Sequence, residues 1–163
     1  MLWRIIHGAS ATNRHRAHLD PSTGEGCGFC GDRETLEHLV VTCPRLEGLF
    51  RQIKLVEALE ENFSLPLFVF EPKYIKRNRE TSVLVNFLYG MTKLATWKSR
   101  KNQMLEVGWT DVVKCFKGLV ATHVKIEHAF YSLTSNLEAF TSQWGIRQVL
   151  CSIERDGSLI LHF

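Results

Sequence analysis

The sequence predicts a mainly helical α+β fold that closes with a β-hairpin, and three observations carry that expectation. Apolar residues recur at i, i+3, i+4 and i+7 in several separate stretches, the signature of helices with one buried face. The stretch from Thr81 to Lys101 is apolar nearly all round until its last turn, as a buried helix would be. The terminal RQVLCSIERDGSLILHF places two β-branched, apolar runs on either side of Asp156-Gly157, a strong hairpin signal. With 163 residues, 45% of them hydrophobic, the chain has enough material to bury a core.

In order along the chain, LWRIIHG and ATNRHRAHL read as two short helical pieces broken near Gly8, with Thr12 as N-cap of the second. The run DPSTGEG is turn chemistry and delivers the chain to Cys27. Asp32 is then a candidate cap for a helix through ETLEHLVV, with Glu34 in its first turn and His38 on its body. Pro44 suits the first position of a further helix, whose Leu46, Leu49, Phe50 and Ile53 share one face and which continues to Leu59. That places Cys43 at a helix N-terminus, where free N–H groups favour a thiolate.

SLPLFVFEP reads as a short strand or extended connector, and PKYIKRNRE as a basic surface loop ahead of the long helix. Thr110 or Asp111 starts another helix, with Val112, Cys115, Phe116, Leu119, Ile126 and Phe130 along one side. Asn136 to Trp144, closed by Gly145, predicts one more. There is no internal repeat. The expected organisation is a small metal-stapled helical region over residues 1–60 and a bundle-like helical region with the hairpin over residues 61–163, together one continuous domain.

The formal charge of +3 is modest, but its distribution is uneven. Between Glu71 and Lys101 eight Lys or Arg face only Glu71 and Glu80, so this one segment holds more positive charge than the whole chain nets. Within it Trp97 is followed by Lys98, Arg100 and Lys101, and Tyr74 sits among Lys73, Lys76, Arg77 and Arg79. An aromatic platform interleaved with cations is the pattern that stacks bases and pairs phosphates; a merely solvated surface is the plain alternative. No stretch reads as a secretory signal and no apolar run approaches a bilayer span, so the expected compartment is intracellular, nuclear or cytoplasmic, without a membrane partner.

In such a compartment cysteines stay reduced, which changes the meaning of CGFCGDRETLEHLVVTC. The spacing Cys27-x2-Cys30-x7-His38-x4-Cys43 offers three thiolates and an imidazole, the donor types that Zn²⁺ takes in a tetrahedron. Gly28 and Gly31 ease the tight turn in which backbone N–H groups bond the sulfurs. His15 or His18, both upstream, are alternative fourth ligands, and chance proximity without a metal is the plain alternative. A closed Cys3His set leaves no position for water and so predicts one structural Zn²⁺, not a hydrolytic one. Cys115 in an apolar stripe and Cys151 in the hairpin read as small buried hydrophobes.

The interval before the histidine is longer than in the retroviral C-x2-C-x4-H-x4-C knuckle. Together, LWRIIHGASATNRHRAHL, this cluster and HLVVTCPRLEGLF resemble the zinc-binding region near the C-terminus of LINE-type (non-LTR) retrotransposon reverse transcriptase proteins. FLYGMTKLATWKSRKN and VLCSIERDGSLILHF extend the resemblance across nearly the whole chain. It implies metal ligation by Cys27, Cys30, His38 and Cys43, and a role in binding template RNA or target DNA; the expected partners are RNA or single-stranded DNA. No YADD-like polymerase motif or endonuclease signature is present, and no G-x-S-x-G, H-E-x-x-H or phosphate-binding Gly loop. The expected function is therefore a non-catalytic nucleic-acid-binding zinc module, with a docking module for the polymerase part of a longer chain as the alternative. His123 with Glu127 reads as a solvated helical pair, and His7 beside Trp3 as a structural histidine.

Overall fold

The computed structural model describes residues 12–54, 79–104, 111–145, 148 and 150–162. The expected elements at LWRIIHG, the SLPLFVFEP connector and the loop residues Lys73, Tyr74, Lys76 and Arg77 lie outside the described residues.

Helix α1, Asn13–Leu19, starts where the sequence says it should: Thr12 is extended, and its hydroxyl accepts the His15 N–H. The chain then turns into a narrow hairpin, bridged at Gly26 and Arg33, whose tip carries Cys27 to Cys30. The next helical segment is capped by Thr35, not Asp32. The Thr35 hydroxyl accepts the His38 N–H at 3.0 Å, which moves the helix start three residues on and frees Glu34 from the first turn. From His38–Thr42 the segment widens into a π-turn, with the Cys43 N–H bonded to the His38 carbonyl. Pro44–Leu46 form a 3₁₀ turn with Pro44 at its first position, and α2, Glu47–Lys54, continues from it.

The long helix α3 runs Arg79–Met104, so Arg79 opens a helix where a loop residue was expected. Its buried face includes Leu84, Leu88 and Ala95, but also Thr92, Lys93, Thr96, Ser99 and Arg100. Helix α4, Val112–Leu133, is capped by Asp111, whose carboxylate accepts the Val113 and Lys114 N–H groups. Its buried positions are Val112, Phe116, Val120 and Val124. Ile126 and Phe130, expected on that face, are instead 64% and 59% exposed, as is Leu133 at 87%. Steps of four residues advance about 40° around a helix, so the buried stripe rotates away from the side that Ile126 and Phe130 occupy.

Helix α5, Leu137–Trp144, ends at Gly145 as the sequence predicts. Strands β1, Cys151–Ile153, and β2, Leu159–Leu161, pair antiparallel with Cys151 opposite Leu161 and Ile153 opposite Leu159. Gly157 takes φ +85° in the connecting turn, a left-handed conformation that a side chain would strain, and Glu154 and Ser158 close it. The hairpin sits on α4 and α5: the His128 ring nitrogen meets the Gly157 carbonyl at 3.1 Å, and the Cys151 thiol lies 3.5 Å from the Trp144 carbonyl. One apolar cluster runs from Leu46 and Leu49 through Leu84, Leu88, Val120 and Val124 to Phe140 and Trp144, and Cys27 and Cys43 belong to it. No helix among the described residues is long and apolar enough to cross a membrane.

Candidate metal centre

Cys27, Cys30, His38 and Cys43 converge, with all four ligand atoms within 4.8 Å of one another. Cys27 Sγ lies 3.9 Å from Cys43 Sγ, and Cys30 Sγ lies 3.3 Å from His38 Nε2. Local backbone explains the convergence. The Gly31 N–H returns to the Cys27 carbonyl and the Cys27 N–H to the Asp32 carbonyl, which folds the two thiols of the turn toward one point. Gly31 takes φ +81° to let this happen, a conformation that a Cβ would strain. The π-turn then carries His38 and Cys43 to the same point from its two ends. His15 and His18 are exposed and take no part in the group.

The site is sealed. Cys27, His38 and Cys43 are buried and Cys30 partly so. Burial is the main cause that pushes the Cys43 thiol up to about 12, reinforced by the neighbouring Cys27 and opposed by the Arg45 N–H and the Arg45 charge. Burial likewise raises Cys30, against the Asp32 N–H that bonds its sulfur. A metal ion reverses this balance, because it supplies the positive charge that buried thiolates lack. The four side chains can therefore hold a metal ion, with backbone N–H donors already placed on two sulfurs.

A second polar cluster anchors the centre to the long helix. Arg100 Nη2 donates to Glu34 Oε1 and to Asn13 Oδ1, each at 2.7 Å. The same Glu34 oxygen accepts the Asn13 N–H at 2.7 Å, while Asn13 Nδ2 donates to the Gly26 carbonyl next to Cys27. The Glu34 and Arg100 side chains are only 1% and 5% exposed. Arg100 was expected beside Lys98 and Lys101 as a phosphate contact; the structure corrects this, because its guanidinium is committed to a buried carboxylate. Lys98 and Lys101 are exposed and Trp97 is partly buried. Glu34 and Asn13 were not read as site residues, because Arg100 lies too far along the chain, and the Gly26 carbonyl is backbone, to leave a local signal.

His123 and Glu127 are 3.7 Å apart and partly exposed, and the His123 ring also packs on Phe87 and Trp144. Cys151 is fully buried and raised to about 11 by that burial, and burial also raises Cys115, so neither is an activated thiol.

The chain is homologous to a segment of a transposon protein. It is 34% identical over 156 residues to the Xenopus laevis "Transposon TX1 uncharacterized 149 kDa protein", which takes in 94% of this chain and 12% of that protein. The chain thus spans a small part of the length of the relative it matches. No family model matches the sequence, and no solved structure matches it.

Proposed function

We propose that the chain is a Zn²⁺-stapled, nucleic-acid-binding module of a LINE-type retrotransposon reverse transcriptase protein, and that it supplies no catalytic residue of its own. The observation that carries the reading is the Cys3His cluster within a segment homologous to a transposon protein. Zinc fits the donor set. A tetrahedral ion with Zn–S and Zn–N bonds of about 2.3 and 2.0–2.1 Å sets S···S near 3.8 Å and S···N near 3.6 Å. Two of the observed pairs, at 3.9 and 3.3 Å, lie near those separations, within a group whose ligand atoms all fall inside 4.8 Å of one another. Four protein donors leave no position for an activated water, which favours a structural ion over a hydrolytic one.

Contact with RNA or single-stranded DNA would fall to the exposed Lys98 and Lys101 with Trp97 nearby, and to Lys73, Tyr74, Lys76, Arg77 and Arg79. Titration of single-stranded RNA, single-stranded DNA and duplex against salt, with zinc measured in the same samples, tests this. Each single-strand phosphate contact adds roughly −0.7 to the log–log salt slope, so replacing Lys98 and Lys101 by Ala should flatten it by about 1.4. Arg100 is left intact because it holds the fold together. Unchanged binding at every salt concentration would remove these residues from the interface.

A second reading has an observation of its own. Ile126, Phe130 and Leu133 form an exposed apolar stripe on α4, and the transposon relative is far longer than this chain. In that reading the stripe docks on another part of a longer transposon polypeptide. Weak binding of every nucleic acid, together with self-association that Phe130→Glu abolishes, would favour it.

A further inference from the structure

Helix α4 carries two apolar stripes, and the core takes only one of them. Val112, Phe116, Val120 and Val124 are buried against the rest of the molecule. On another side of the same helix stand Cys115, Leu119, Thr122, Ile126, Ala129 and Leu133, spaced alternately four and three residues apart. That alternation is the seam along which one helix packs lengthwise on another, and it is kept for about 27 Å at a rise of 1.5 Å per residue. Cys115 and Leu119 are half-buried at the edge of the core, whereas Thr122, Ile126, Ala129 and Leu133 are exposed, with Phe130 exposed along one border. None of the six is charged, although the outer side of a surface helix is ordinarily its polar side.

The order of side-chain sizes along the seam says what fits it. Leu119, Ile126 and Leu133 are large and alternate with the smaller Cys115, Thr122 and Ala129. A parallel copy would set large on large and small on small, which crowds one layer and leaves the next one loose. An antiparallel copy, related by a twofold axis at the level of Val124, sets Leu133 against Cys115, Ala129 against Leu119 and Ile126 against Thr122. Each layer then joins one large side chain to one small one, and every contact occurs twice, as a twofold interface requires. We propose that this face of α4 is a self-association surface whose occupant is the α4 of a second copy of the chain, packed antiparallel. The half-buried Cys115 and Leu119 of each copy receive the exposed Leu133 and Ala129 of the other. Lys125 borders its own counterpart across the axis, where its long stem lets the ammonium stay in water. Neither the metal centre nor the basic end of α3 takes part, so the surface stands independently of the nucleic-acid reading.

The test uses the full chain, with zinc supplied and nucleic acid absent, and follows its mass by sedimentation as protein concentration rises. The parent should form a dimer and nothing larger, because a twofold contact closes on itself. Ile126→Ser removes a large side chain from two central layers and should weaken the dimer about 100-fold. Ala129→Leu adds apolar surface yet should weaken it about 10-fold, because the added bulk meets Leu119 of the second copy. Both positions are exposed in the single chain, so each variant should keep the parent's circular dichroism. Leu133→Cys reads the orientation: a short thiol–thiol cross-linker should join position 133 to Cys115 of the second copy, a pair about 27 Å apart within one helix and out of its reach there. Cross-links from position 133 to position 133 alone would overturn the antiparallel arrangement. A parent that stays monomeric up to its solubility limit would overturn the inference and leave the stripe to a different polypeptide. So would a dimer that Ile126→Ser leaves intact or that Ala129→Leu strengthens, since either outcome marks unspecific adhesion.

Discussion

Between Thr12 and Cys43 the buried side chains are Thr12, Cys27, Glu34, His38, Leu39, Val40 and Cys43; between Val112 and Trp144 they are Val112, Phe116, Val120, Val124, Phe140 and Trp144. Polar and sulfur groups dominate the first set, and every member of the second is apolar. The helical end can stay folded on burial alone, at roughly 25 cal/mol per Å² of apolar surface. The other end has sealed thiols and a carboxylate where a core would be, and needs charges to meet them. A metal ion could meet the thiols, whereas Arg100 already meets Glu34, so two regions of one cluster would depend on different conditions.

Metal removal should break this comparison most visibly. Apparent binding energies of structural Zn²⁺ reach about 10–16 kcal/mol and count as folding energy where the unfolded chain has no preformed site. Chelation, or Cys30→Ser, should therefore abolish hydrogen-exchange protection across residues 12–46 while α4, α5 and the hairpin keep theirs. Acid should act in the same direction. Burial raises Cys30 and raises Cys43 to about 12, so at neutral pH the metal-free thiols hold their protons, and metal must displace them. Metal affinity consequently rises with pH and is lost as pH falls. In the metal-free chain the sign is opposite: protonated Cys43 stabilises the fold below about pH 9, and that contribution disappears as pH climbs toward 12. Equal loss of protection at both ends on chelation would show that the regions do not differ as argued.

The buried ion pair sharpens the comparison from the other side. Removing one partner strands a buried charge, so Glu34→Ala or Arg100→Met should cost about 3–5 kcal/mol, and the double change far less than the two singles together. Because the pair joins the metal-bearing hairpin to α3, either single change should also weaken zinc retention. Phe140→Ala should cost a similar ~3–5 kcal/mol by opening a cavity, yet leave metal affinity as it was. Denaturant melts read beside zinc competition separate these outcomes, and coupling of Phe140→Ala to metal loss would merge the two regions into one.

What the sequence made legible follows the same division. The four side chains that converge lie within one short stretch, so their chemistry and spacing could be read locally. The caps at Thr12 and Asp111 and the stop at Gly145 were legible for the same reason. Glu34 and Arg100 are 66 residues apart, and nothing local distinguishes a lysine-flanked arginine that reaches inward from one that reaches out. Asp32 and Thr35 are both good caps, and the backbone bond from Cys27 to the Asp32 carbonyl settles the choice by holding Asp32 in the turn. Periodicity found the α4 face as far as Leu119 and then followed the wrong edge, because a period alone does not say which way a stripe drifts.

The smallest expected effect concerns the end of α4, where the apolar region carries a strained residue without any metal or charge to explain it. The Asn136 N–H reaches the Tyr131 carbonyl at 2.9 Å and the Ser135 N–H reaches the Ser132 carbonyl at 3.1 Å, the paired bonds of a Schellman turn. That turn needs a left-handed residue at Ser135, which takes φ 54°. A non-glycine residue there costs roughly 1–2 kcal/mol, and glycine forgoes about 0.5–1 kcal/mol of that gain through its freer unfolded chain. Ser135→Gly should accordingly raise stability by up to about 1 kcal/mol, seen as a small upward shift in the melting of α4 and α5. Zinc affinity should stay put, because Ser135 lies in the region held by packing. A stabilised helix end that also tightened metal binding would show that order at α4 reaches the Cys3His cluster, and the two regions would have to be treated as one cooperative unit.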